Sequence, residues 1–172
     1  VYNSLAAISV ALRLGCSTEN IKTALENVKV PGRSELVDNK LGLTIMVDYA
    51  HSPESLENIL QAVKSYTRGK VISVFGCGGD RDSGKRPIMG EISGKIATYS
   101  IITSENPRTE NPKAKYECIV DRTEAIKKAI QIADKTDIIV LAGKGHETYQ
   151  EINHEKHHYD EREIIKEIID NM

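Results

Sequence analysis

Apolar and polar positions alternate along the chain in two regimes. Over residues 3–14, Leu5, Ala6, Ile8, Ala11 and Leu12 share one helical stripe, and Gly15 supplies a C-terminal stop. Ser17 or Thr18 caps a second helix carrying Ile21, Leu25 and Val28 at i, i+4 and i+7. These two helices read as a hairpin with no sheet of its own, and Pro31-Gly32 marks a boundary after them. Beyond it, short β-branched runs and helical patterns take turns. Leu43–Asp48, Val71–Phe75, Tyr99–Thr103 and Asp137–Ala142 read as strands. Helices are expected from Pro53 to about Ser65, Pro87 to Lys95, Arg122 to Asp134 and Asp160 to Asp170. Near-continuous apolar strands alternating with helices predict an α/β fold. Its sheet is mostly parallel with helices on both faces, preceded by the short helical hairpin.

The 172 residues suffice for one α/β domain with a proper core and an appendage. The expected division is residues 1–30 and residues 31–172. With 28% charged residues and a net charge of −2, nothing points to nucleic acid or a membrane surface. No apolar run approaches the roughly 18 residues of a membrane span. Three cysteines (Cys16, Cys77 and Cys118) without metal-ligand spacing suit a reducing compartment, and a cytoplasmic location is expected. The chain opens at Val1 directly into a helical pattern, which reads as a piece of a longer protein.

In a parallel sheet with helices on both faces, ligands bind beyond the carboxyl ends of the strands. Each apolar run here ends in a polar signal. The first ends in Asp48-Tyr-Ala-His51-Ser-Pro53 and the third in Ser104-Glu105-Asn106-Pro107-Arg108. The fourth ends in Gly143-Lys144-Gly145-His146-Glu147. The second is the richest: Gly76 to Pro87 holds four glycines, two Asp, two Arg and a Lys. Glycines let backbone N–H groups approach a ligand, and Arg offers a planar fork to carboxylate or phosphate. Arg81 and Arg108 suit a ligand with more than one carboxylate. Glu105 and Glu147 suit an ammonium group, and the N–H groups of Gly143 and Gly145 suit a carboxylate. Together they describe an amino-acid site.

Each loop also has a plainer reading. Asp48 and His51 meet a nucleotide or cap the next helix. Lys144-Gly-His-Glu147 is alternatively a glycine turn with a helix cap, and Cys77 is a nucleophile or a loop filler. His154, His157 and His158 read as a solvated loop rather than a zinc site, and no metal ligands are expected. There is no G-x-x-x-x-G-K-[ST] phosphate loop.

Taken together, Val30-Pro-Gly-Arg33, Asp48-Tyr-Ala-His51-Ser-Pro53, Gly76-Cys-Gly-Gly-Asp-Arg-Asp-Ser-Gly-Lys-Arg-Pro87, Glu105-Asn-Pro-Arg108 and Gly143-Lys-Gly-His-Glu147 resemble the Mur ligase family. The likeness is to those members that add the third residue of the peptidoglycan stem peptide. It implies that residues 31–172 are the C-terminal, Rossmann-like domain. Residues 1–30 are then the last helices of a central ATPase domain whose phosphate loop and Mg2+ ligands lie outside this chain.

The implied reaction spends ATP to phosphorylate the D-glutamyl carboxylate of a UDP-N-acetylmuramoyl dipeptide. The incoming amine attacks that acyl phosphate. The C-terminal domain must bring the amine within about 3 Å of the carbonyl carbon, with water excluded, closing on a hinge near Pro31-Gly32. By the same likeness Arg33, Asp48 and His51 face ATP. Arg81, Glu105, Asn106, Pro107, Arg108, Gly143 and Glu147 hold the incoming diamino acid.

Arg108 favours meso-diaminopimelate, whose distal carboxylate lysine lacks; lysine addition is the runner-up. The family's diaminopimelate-adding members carry Asp where Glu105 stands. A monomer is expected, and the chain alone is not expected to catalyse ligation. A ligand-binding module without ligase chemistry is the reading from another class; a purely structural domain leaves the four polar strand ends unexplained. Family members also carry a further stretch, including an apolar helix, where Asn111-Pro-Lys-Ala114 here runs into Lys115-Tyr-Glu-Cys-Ile-Val-Asp-Arg122. Either the stretch is deleted in this chain or, as expected here, the chain is broken near Ala114–Lys115, in place of the usual Cα–Cα step of about 3.8 Å.

Overall fold

The structure is a computed structural model and describes residues 2–80, 82–106 and 118–172. Arg81, Pro107, Arg108 and the Ala114–Lys115 junction lie outside the described residues. The chain forms two compact units, residues 1–30 and residues 31–172.

The first unit is a helical pair, α1 (Tyr2–Arg13) and α2 (Thr18–Asn27). Ser17 caps α2, its hydroxyl accepting the Asn20 N–H at 3.2 Å. Gly15 turns the chain with φ +81°. Neither helix has a buried residue. Ile8, Ala11, Ile21 and Leu25 are half-buried along the seam, while Leu5, Val10, Leu12 and Leu14 are exposed.

The second unit is built on a five-stranded sheet in the order β1-β2-β5-β3-β4. Its strands are β1 (Glu35–Leu36), β2 (Thr44–Asp48), β3 (Val71–Phe75), β4 (Tyr99–Ile102) and β5 (Ile138–Ala142). The last four are parallel, and β1 is antiparallel on the β2 edge. β1 is too short for a periodic signal, and the sequence pattern passes over it.

Side chains on a strand alternate between faces, so the sheet has two cores. One face sets Ile45, Val47, Ile72, Val74, Ile139 and Leu141 against α5 (Arg122–Ile132) and α6 (Glu161–Asp170). The other sets Met46, Val71, Phe75, Ile138 and Val140 against α3 (Pro53–Tyr66) and α4 (Lys85–Ile96). Burial on both faces explains why β5 is apolar throughout and why β3 is apolar but for the buried Ser73.

Helix α3 carries Pro53 at its start, and Ser52 and Ser55 form a reciprocal capping box. Neither Asp48 nor His51 caps it. Helix α4 begins at Lys85, two residues before the expected Pro87, which still sits in the first turn.

The polar stretch holding His154, His157 and His158 is not a loop. It is a hairpin of β6 (Tyr149–Ile152) and β7 (Glu155–His158). Its two-residue turn, Asn153-His154, has φ of +50° and +65°, both in the left-handed region.

Candidate functional site

The carboxyl ends of β2, β3, β4 and β5 lie side by side, as the sheet order requires. This places the four polar loops on one edge. Two of them meet through a buried cation. Lys144 is fully buried, and its Nζ donates to the Tyr149 carbonyl, to Glu147 Oε2 at 3.3 Å and towards Asn106 Oδ1 at 3.5 Å. Asn106, 3% exposed, donates from Nδ2 to Glu147 Oε2 at 3.1 Å. Its Oδ1 also accepts the Glu151 N–H at 2.9 Å, and its carbonyl accepts the Gly79 N–H at 2.7 Å. Asn106 therefore ties the loops after β3, β4 and β5 to strand β6. The rings of Tyr149 and Tyr159 lie 5.7 and 5.8 Å from Nζ.

Burial pulls the Lys144 ammonium below the ordinary lysine value; Glu147 draws it back up and Arg122 pushes it further down. Burial also holds the Tyr159 phenol up, to about 12, so it stays neutral. The segment after Gly145 leads into β6, so the reading of Lys144–Glu147 as a helix cap does not hold.

Glu105 is 8% exposed and turned inwards. A Cβ on Gly143 would lie 3.4 Å from its carboxyl carbon, so the glycine is the space that the glutamate fills. The Gly143 N–H donates to the Asp48 carbonyl at 3.0 Å and is not offered to a ligand carboxylate. Burial pushes the Glu105 carboxyl up; Arg122 pulls it down and Glu147 pushes it up again.

Behind this layer lies an ion pair that the sequence did not suggest. Arg122 and Glu161, each 1% exposed, pair at 2.7 Å, and Arg122 Nη2 donates to the Ala142 carbonyl at 3.0 Å. Among the described residues, Glu105 Oε2, Arg122 Nη1 and Glu161 Oε2 have no hydrogen-bond partner.

The other side of the edge is organised by Tyr49. The Arg33 guanidinium stacks 4.7 Å from the ring centroid, and the rings of His51 and His146 lie at 4.6 and 5.0 Å. Arg33 and His51 are exposed. Asp48 is buried, accepting the Ser34 N–H at 2.7 Å and the Ala50 N–H at 2.8 Å. Its carboxylate orders the loop that carries Tyr49. Lys85 Nζ donates to the His51 carbonyl at 2.7 Å, tying the glycine-rich segment to the same loop.

Cys77 packs on Met89 with Sγ 3.6 Å from Sδ, and burial raises its thiol pKa, opposite to an activated nucleophile. His158 Nε2 bonds Glu163 Oε2 at 2.6 Å. No group of three metal-ligating side chains occurs among the described residues. No helix among them is long and apolar enough to cross a membrane.

A mostly parallel α/β domain with polar loops gathered on one strand edge has relatives that define its class. Residues 32–145 match the family described as "Mur ligase, glutamate ligase domain", and the chain belongs to the Mur ligase family. The relatives narrow this further. The chain is 49% identical, over 98% of its length, to a UDP-N-acetylmuramoyl-L-alanyl-D-glutamate–2,6-diaminopimelate ligase of Caldanaerobacter subterraneus subsp. tengcongensis. It is also 49% identical over 98% of its length to the ligase of that name from Bacillus cereus.

It spans 38% and 37% of those relatives. The first alignment runs over 183 positions, more than the 172 residues present, so it opens gaps in this chain. A solved ligase of the same name superposes over 97% of the chain and 37% of its own, with a TM-score of 0.74 and 36% identity. Escherichia coli FolC in complex with ADP shares the fold at a TM-score of 0.63 and 19% identity, over 84% of this chain and 36% of its own.

Proposed function

We propose that this chain is the acceptor-amino-acid domain of an ATP-dependent ligase that joins meso-diaminopimelate to UDP-N-acetylmuramoyl-L-alanyl-D-glutamate, acting as a cytoplasmic monomer in peptidoglycan synthesis. The observation that carries this is the unit formed by buried Asn106 and Lys144 with half-buried Glu147 at the strand edge. It presents one carboxylate and one amide, each held by the fold, to an incoming ammonium and carboxylate. The names of the relatives supply the acceptor.

On this reading residues 1–30 belong to a preceding ATPase domain that holds Mg2+ and most of the ATP, and residues 31–172 close on it. Glu147 receives the ammonium of the diamino acid, with Gly143 and Glu105 forming the wall behind. Arg81 and Arg108 take its carboxylates; both lie outside the described residues and rest on the sequence alone. Arg33 and His51, both exposed beside Tyr49, suit the phosphates of ATP, with Asp48 holding the backbone next to each at Ser34 and Ala50. ATP supplies the phosphoryl group that activates the glutamyl carboxylate. This chain's own part is to orient the amine, exclude water and hold it within about 3 Å of the carbonyl carbon.

The test is incorporation of radiolabelled diaminopimelate and lysine into the UDP-dipeptide by the full-length ligase. Diaminopimelate alone should be incorporated, and equal or preferred incorporation of lysine would overturn the assignment. The Glu147→Gln enzyme should raise the KM for diaminopimelate by roughly 10- to 100-fold, the range of a lost charge-assisted hydrogen bond.

A further inference from the structure

Lys144 lies inside the amino-acid site yet cannot touch a ligand, because the fold covers it completely. Its place is set by the backbone on both sides. Gly143 and Gly145 have φ of +119° and +52°, and this pair of left-handed residues turns the intervening side chain into the interior. There Nζ faces three oxygens, on Asn106, Glu147 and Tyr149. An ammonium has three protons to give and no lone pair to satisfy, so the three acceptors match the charged form.

The consequences fall on Asn106 and Glu147. Asn106 Oδ1 accepts from Lys144 and from the Glu151 N–H, so a flipped amide would set its NH2 against two donors. The amide is thereby fixed with Nδ2 towards Glu147. One Nδ2 hydrogen is spent on Glu147 Oε2, which leaves the other. Glu147 Oε2 takes both Asn106 and Lys144, while no described residue bonds Oε1.

We infer that Lys144 is a positioning residue. Its buried ammonium locks Asn106 and Glu147 into one unit and leaves Glu147 Oε1 and one Asn106 N–H for the incoming amino acid. This rests on the reading of the site as the diamino-acid pocket. It assigns Lys144 no contact with ATP or with the UDP-dipeptide.

The experiment is a double-mutant cycle in the full-length ligase. The variants are Lys144→Met, Glu147→Gln and the pair together, with KM measured for each of the three substrates and melting temperature recorded. Lys144→Met should raise the KM for the diamino acid by about tenfold or more and leave those for ATP and UDP-dipeptide within about twofold. Because the Glu151 N–H also holds Asn106, Lys144 acts mainly through Glu147, and adding Lys144→Met to Glu147→Gln should worsen that KM by less than about threefold. Should Lys144→Met fail to fold, Lys144→Gln carries the same cycle. A comparable rise in all three KM values, multiplied defects in the double variant, or loss of cooperative melting in both Lys144 variants overturns the inference. If the wild-type enzyme takes lysine rather than diaminopimelate, the functional assignment falls, and the cycle is read on lysine instead.

Discussion

At the scale of single residues, Glu105 shows how burial turns a charge into something else. Its carboxyl sits against Gly143 with Oε2 unpartnered, and burial raises its pKa above the ordinary 4.5. Between 4.5 and the raised value the native state therefore binds more protons than the unfolded chain. Stability from this group is full at low pH and is lost as pH rises through the folded value. Glu105→Gln should flatten the decline of stability with pH in that window, as measured by urea unfolding at a series of pH values. An unchanged slope would show that Glu105 does not titrate there.

The sequence placed Glu105, Asn106 and Glu147 on one edge, because strand ends are readable from apolar runs followed by polar residues. It gave Lys144 and Arg122 no special role. A lysine between glycines reads as exposed. The partner of Arg122 lies 39 positions away, where no local pattern can point to it.

Among the elements, α5 and α6 meet through their first residues. Asp121 and Asp160 cap the two helices, and Arg122 and Glu161 follow directly. A cation at a helix N-terminus is unfavourable by itself, so Arg122 depends on Glu161 and on the Ala142 carbonyl. Glu161→Gln leaves that buried charge without its counter-ion and should destabilise the fold by about 3–5 kcal/mol in denaturant titration. A matched apolar pair at both positions should recover most of that loss.

The β6–β7 hairpin makes a separate case. Its turn needs positive φ at two successive residues, and His154 occupies the second, where glycine is favoured. His154→Gly should raise stability by about 0.5–1 kcal/mol in the same assay. The missing glycine is also why the hairpin was hidden: Asn-His is not a recognisable turn dipeptide, and β7 is polar on both faces.

For the molecule as a whole, the two units differ in what holds them. Residues 31–172 contain both cores and every described site residue, and a chain starting at Pro31 should melt cooperatively. Residues 2–30 bury nothing completely, and their helices of 12 and 10 residues are below the length that is stable alone in water. A peptide of those residues should show little helix by circular dichroism. Strong helicity would mean that the half-buried seam suffices.

The parallel strands of the larger unit were legible, since strands covered on both faces leave a near-continuous apolar signature. The seating of Gly32 was not. Gly32 is buried, with φ +67°, and a Cβ on it would lie 2.0 Å from the His146 nitrogen. Its N–H donates to Glu35, which Arg162 also holds, and Arg162 reaches the Gly145 carbonyl. The neighbouring Ser34 is tied to Asp48. The segment around residue 32 is thus riveted to the loop that carries Lys144 and Glu147. Within residues 31–172 the two stretches therefore shift together or not at all, and any side chain at residue 32 would be felt first by the Gly145–His146 backbone beside Glu147.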